Sequence, residues 1–166
     1  MIWKLLACIF MTVTAAFIVT VIMDIRKKKK TSLTFKDSIH STGLPIISLK
    51  LQIPNKTFIT YNFIVDTGST VNVINTSYVK DLYSEDIKLN TELYGINGNS
   101  GEAKKYRLYF INDNNLYSGE FVSKDLSSSL DYIEEITGYT IHGLIGTNFL
   151  EEFKYKIDFS KYQLYK

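Results

Sequence analysis

Residues 58–75, FITYNFIVDTGSTVNVIN, set a carboxylate between two apolar, β-prone runs. The first run alternates, with Ile59, Tyr61, Phe63 and Val65 on one face, the pattern of a half-buried strand. The second, Val71 to Ile74, reads as another short strand. Between them Asp66, Thr67, Gly68 and Ser69 turn the chain. An ionised carboxylate delivered to such a place is costly unless donors hold it. Gly68 lets the backbone bend and approach its surroundings closely. Backbone N–H groups of the turn can donate to the carboxylate. The Ser69 hydroxyl can donate to its outer oxygen, and Thr67, pointing inward, can anchor the loop. A plain surface turn built on Asp and Gly is the competing reading, and the apolar flanks weigh against it.

The pattern on either side is also β-rich. In PIISLKLQI, Ile47, Leu49, Leu51 and Ile53 alternate with Ser48, Lys50 and Gln52, so this segment predicts a strand paired with residues 57–65. TSYVKDL allows at most two helical turns. Residues 91–111 predict two strands around a tip marked by Gly95, Gly98 and Gly101, and GEFVSKDL a further strand. SSSLDYIEEITG spaces Leu130, Ile133 and Ile136 as a helix does, with Ser before and Gly138 after as start and stop signals. TIHGLIGTNFLEEF passes from a strand through Gly146 into a helix, with Asn148 and Glu151 at capping-box spacing. The chain closes on a small hairpin, YKIDF to YQLY. Residues 30–43 are rich in Ser and Thr without strong periodicity and read as a tether.

The first thirty residues differ in kind. Residues 5–23 are nineteen uncharged, mostly apolar residues, close to the length that spans a bilayer core of about 30 Å. The run is too long for a signal-peptide core and ends in MDIRKKKK, so residues 1–25 predict an uncleaved transmembrane helix and residues 26–43 a basic flank and tether. Five basic residues follow the helix and Lys4 precedes it, which places the rest of the chain on the cytoplasmic side of a single-pass membrane protein. Cys8, Thr12, Ala16 and Thr20 recur every four residues, a spacing that suits either helix–helix approach or an ordinary membrane helix. Six basic residues against Asp24 give residues 1–30 a net charge of +5, which leaves −3 for residues 31–166 within the overall +2. A mildly acidic body without a basic stripe argues against nucleic-acid binding. One cysteine excludes an intrachain disulfide, and one cysteine with two histidines argues against structural zinc.

Two motifs carry the functional expectation. Asp66-Thr67-Gly68-Ser69 is followed, some eighty residues on, by HGLIG, two apolar residues before a glycine and then a short helix. This pair resembles the aspartic proteases, and one copy of each motif in residues 44–166 resembles the retropepsin-like, retroviral-type branch. The resemblance implies a mostly β fold, a closed acid-protease barrel with short helices. It makes Asp66 the catalytic aspartate, with Thr67 joining an interlock between subunits and Gly68 and Ser69 completing the loop. Leu144, Ile145 and Gly146 would support that loop. Tyr94, Gly95, Ile96, Asn97 and Gly98 would form a flap closing over a peptide substrate. Thr147 and Asn148 stand where retroviral enzymes often place an arginine.

One carboxylate cannot activate water and protonate a leaving group in one step, whereas two about 3 Å apart share a proton and can. If it is a protease of this kind, a chain with one such loop must act as a symmetric homodimer, each copy giving one Asp66; no metal or cofactor is expected. The expectation is a membrane-anchored aspartic endopeptidase. The alternatives are an inactive dimerisation or peptide-binding module of the same fold, and a membrane-tethered scaffold. His142 beside the second motif reads as a structural histidine, and a Ser69–His142 triad has no nucleophile-elbow motif behind it.

Overall fold

The alternating apolar residues of the first two body strands build the wall on which the rest is hung. In the computed structural model, which describes the backbone of residues 32–94 and 100–166, strands β2 (Ile46–Gln52) and β3 (Phe58–Val65) form an antiparallel hairpin, from Ile46 opposite Ile64 to Gln52 opposite Phe58. Ile47, Leu49 and Leu51 are buried while Ser48 and Lys50 are exposed, as the period of two requires. Side chains of residues 89–102 lie outside the described set, as do residues 1–31 and 95–99.

The sheet closes on itself. β3 runs parallel to β8 (Gly143–Ile145), β8 antiparallel to β4 (Val73–Asn75), and β4 parallel to β7 (Asn115–Lys124). β7 pairs antiparallel with β6 (Ser100–Asn112), and β6 returns to β2 through Lys50–Ile111 and Leu51–Phe110. These six strands make a barrel without a free edge. β5 (Ser84–Tyr94) lies outside the ring on β6, with a register shift between Asp86 and Asn90. Phe63, Ile74, Leu108, Phe110, Phe121 and Ile145 join the β2 residues in the core. Each such side chain gains roughly 1.5–3 kcal/mol by leaving water, so the barrel interior holds the fold together.

A second, three-stranded sheet has the order β1 (Ser32–Thr34), β10 (Gln163–Tyr165), β9 (Lys156–Asp158). The C-terminal hairpin is the one the sequence predicts, but the segment read as a tether is folded. Residues 32–34 pair with β10, and α1 (Lys36–Thr42) follows. Phe35 is 1% exposed against Phe159 and Tyr162. The buried Ser38 hydroxyl accepts the Ile46 N–H at 3.0 Å. Ser32–Lys166 is one compact unit.

The other helices are short: α2 (Thr76–Val79), α3 (Ser127–Thr137) and α4 (Thr147–Glu152). α3 stops at Gly138, as predicted, with φ +72° and its N–H bonded to Glu134 O at 2.8 Å. Leu130 is buried and Ile133 half-buried against Ile46 and Ile141, closing a small second core outside the barrel. Three details differ from the sequence reading. Ile136 is exposed, because six residues at about 100° each carry it well off the Leu130 side of the helix. Ile59 is exposed although it shares the strand face of Tyr61, Phe63 and Val65; it lies near the start of β3, beyond the stretch that pairs with β8. The Asn148–Glu151 capping box is not formed. The helix begins two residues earlier, at Thr147 with Gly146 as its N-cap, and the Asn148 Oδ1 accepts the neighbouring Phe149 N–H at 2.8 Å.

Candidate active site

Two adjacent parallel strands end side by side, and the Asp66 loop and the second motif leave from those ends. Val65 of β3 is in register with Ile145 of β8, and the Asp66 N–H continues the ladder to Ile145 O at 2.9 Å. The chain then turns. Ser69 N–H donates to Asp66 O at 3.2 Å, and Gly68 N–H donates to the Asp66 carboxylate Oδ1 at 2.9 Å. Asp66 as a residue is half-buried, and Thr67, Gly68 and Thr70 are exposed.

The second motif clasps this turn from the other side. Thr147 donates both its N–H (2.8 Å) and its hydroxyl (3.2 Å) to Ser69 O, and Asn148 N–H donates to Thr70 O at 3.3 Å. Gly146 allows the approach. A Cβ there would stand 2.4 Å from Val71 O and 2.9 Å from Ser69 O, closer than any side chain permits. Gly143, at the other end of β8, is equally constrained, since its Cβ would meet Val73 O at 2.0 Å. Two of the three residues of HGLIG other than Leu144 and Ile145 are thus explained by backbones in contact. The third, His142, is explained by its ring.

His142 Nδ1 accepts the Asn62 N–H at 3.0 Å, its own N–H donates to Asn62 O at 2.8 Å, and Asn75 N–H donates to its carbonyl at 2.9 Å. The ring lies between Tyr61 and Tyr78, 4.5 and 4.6 Å away. Burial lowers its pKa, with the Glu134 carboxylate opposing, and an Nδ1 that accepts a backbone proton is unprotonated. It is the structural histidine the sequence suggests, at the opposite end of β8 from Asp66.

The residue that sequence reading passed over is Asn72. It is fully buried within an otherwise apolar run. Its Oδ1 accepts the Gly146 N–H at 3.0 Å, its Nδ2 donates to Glu120 O at 2.9 Å, and its own carbonyl accepts the Val122 N–H at 2.8 Å. One amide thereby joins the Asp66 segment, the second motif and β7. The available signal was its parity: Asn72 shares a face with Ile74, and an amide facing inward must be paired.

Two local expectations fail. The Ser69 hydroxyl does not reach the carboxylate; it donates to Val71 O at 2.7 Å, closing its own turn. Thr67 is exposed and makes no side-chain hydrogen bond among the described residues, so it does not point inward to anchor the loop. The structure brings together Asp66, Gly68, Ser69, Ile145 and Gly146, with Leu144 one residue back on β8, paired with Ile64. Gly95, Ile96, Asn97 and Gly98, and the Tyr94 side chain, lie outside the described residues. The strands on either side of them pair as far as Tyr94 with Ser100. No three metal-ligating side chains gather among the described residues. No helix of the described residues is long and apolar enough to cross a membrane, and residues 5–23 lie outside that set.

No family model and no curated protein sequence matches the chain. Among solved structures it is similar to the EIAV protease complexed with the inhibitor HBY-793, with a TM-score of 0.48 and 16% identity, over 69% of this chain and 92% of that one.

Proposed function

We propose that this chain is a membrane-anchored aspartic endopeptidase that works as a homodimer, each copy contributing one Asp66. The observation that carries the reading is the clasp. A carboxylate at the end of a barrel strand is held by Gly68 N–H, while the second motif fixes the loop through Ser69 O, Thr70 O and Asn72. The loop's outer side, Thr67 and Gly68, is exposed in the protomer and is the surface a second copy would cover. The paired arms of β5 and β6 support a hairpin flap at Tyr94–Gly98.

In the paired state two carboxylates about 3 Å apart hold one proton between them. The ionised member takes a proton from water as the water oxygen bonds to the scissile carbonyl carbon. The protonated member donates to the carbonyl oxygen, which becomes a hydroxyl of the tetrahedral intermediate. When that intermediate breaks, a proton passes to the leaving amine and the dyad returns to one shared proton. The two groups titrate as a pair, so the pH–rate profile has two limbs. The N-terminal helix, on the cytoplasmic-facing orientation, would confine two copies to a plane and raise their effective concentration.

The test is cleavage of a peptide library by the purified full chain across pH 4–8, beside Asp66→Asn. Cleavage lost in the variant supports the dyad, and equal cleavage overturns it. A size measurement under the same conditions must give a dimer, because a monomer that cleaves has no second carboxylate of this kind.

A further inference from the structure

Far along the chain from the Asp66 loop, one ammonium group is ringed by aromatic side chains. Lys166 Nζ lies 4.7 Å from the centroid of Tyr117, 4.8 Å from Tyr155 and 5.8 Å from Phe153. The rings come from β7, from the turn after α4 and from the residue before β9. A lysine at a solvated surface needs none of them. Significant cation–π contacts occur about once per 70–80 residues, so three on one ammonium form a cage.

The cage is built before any cation enters. Tyr155 is 6% exposed, stacks on Phe149 at 5.8 Å with the planes 2° apart, and its hydroxyl accepts from Asn112 Nδ2. Phe153 meets Phe110 edge-on at 5.2 Å and Phe149 at 4.7 Å. Tyr117 stacks on Phe110 at 5.7 Å. Phe110 and Phe149 are themselves buried, so a rigid layer backs all three cage rings. Preorganised rings lose little freedom when a ligand arrives. Burial, and then the nearby Asp113 carboxylate, raise the Tyr155 pKa, which keeps that ring neutral. The occupant, half-buried Lys166, is a single residue beyond a strand end. Lys166 follows β10, whose pairing reaches Tyr165 and stops there, so its side chain can leave without unzipping the strand.

We propose that Tyr117, Phe153 and Tyr155 form a binding site for an organic ammonium group, filled in cis by Lys166. With Lys166 withdrawn, the site takes a lysine side chain in trans, methylated or not, or a free quaternary ammonium head. This site is independent of the peptidase reading.

The experiment titrates tetramethylammonium and acetyl-trimethyllysine amide into the full chain with ring-labelled tyrosine, following the Tyr117 and Tyr155 signals by NMR. Lys166→Ala saturates. The wild-type chain needs about tenfold more ligand, because its site is mostly filled. Lys166→Ala with Tyr117→Leu does not saturate although its far-UV CD is unchanged; Phe153→Leu replaces Tyr117→Leu if the latter unfolds. Tighter binding of the trimethyllysine derivative assigns the site to lysine side chains, and equal binding to a quaternary head alone; either supports the site. Lack of saturation in Lys166→Ala, or equal saturation with the cage ring removed, overturns it.

Discussion

Asp66 and Asp158 both sit in tight turns at strand ends, and their hydrogen bonds differ sharply. Asp158, the last residue of β9, has an oxygen filled by Ser160 N–H at 2.9 Å, Ser160 hydroxyl at 2.5 Å and Lys161 N–H at 3.1 Å, with the Lys161 ammonium 3.9 Å from the other oxygen. The Ser160 hydroxyl bond leads the causes that lower its pKa. The Asp66 carboxylate accepts from Gly68 N–H alone among the described residues. The first carboxylate is used up by its own turn. The second keeps acceptor capacity free, while its loop is fixed through backbone atoms instead. Holding the loop without saturating the carboxylate is what a group that must exchange a proton requires.

The sharpest way to break this contrast is to neutralise each aspartate in turn. Asp66→Asn is expected to lower peptide cleavage by about 10²–10⁴-fold, the usual weight of a general acid or base, with a melting temperature near that of the parent. If Asp158→Asn lost cleavage equally, the distinction between a spent and an available carboxylate would be wrong.

The clasp can be tested apart from the carboxylate. Gly146→Ala drives a Cβ into Val71 O, a backbone atom that cannot swing away. Overpacking of this kind costs about 1–3 kcal/mol or more, read as a fall in the urea midpoint. Gly68→Ala meets only the Asp66 carboxylate, at 3.1 Å. It is expected to cost less stability and to disturb cleavage more, since what gives way is the carboxylate proposed to do the chemistry. Asn72→Ala leaves the Gly146 N–H and Glu120 O without partners in a buried place. That costs roughly 1–3 kcal/mol for the abandoned groups, and the Asp66 loop should loosen with it, seen as faster amide exchange at Gly146.

Much of this arrangement was legible in the chain. Strict alternation at 46–53 and 57–65 gave the barrel's first hairpin, and Gly138 gave the end of α3. The Asp66 turn and the second motif stood out because unusual residues interrupt apolar runs. What was not legible depends on distant partners. Ser38 is buried because Ile46 donates to it from across a turn, and nothing in KDSIHST announces that contact. Phe35 is a single aromatic in a polar segment, without a period to mark it. Asn72 is matched by Glu120 and Gly146, 48 and 74 positions away. Ile136 misled because a spacing of three, repeated, drifts off a helix face.

The smallest effect separates the two ends of β8 by pH. His142 has a folded pKa below its ordinary 6.5, chiefly through burial, with Tyr61, Tyr78 and Glu134 facing it. A lowered base means the unfolded chain binds the proton more readily, so stability is full above about pH 6.5 and is lost as pH falls toward the folded value. Asp158, also lowered, contributes above its ordinary 3.8 and loses that contribution only below it. Melting temperature should therefore decline in two steps on acidification, the first removed by His142→Gln and the second reduced by Asp158→Asn, with Asp125, lowered by its bond from Ser127 N–H, supplying part of the remainder. If His142→Gln left the upper step intact, the buried His142 ring would not be the source of that step. Cleavage itself, in contrast, should survive both substitutions, because neither residue touches the Asp66 loop.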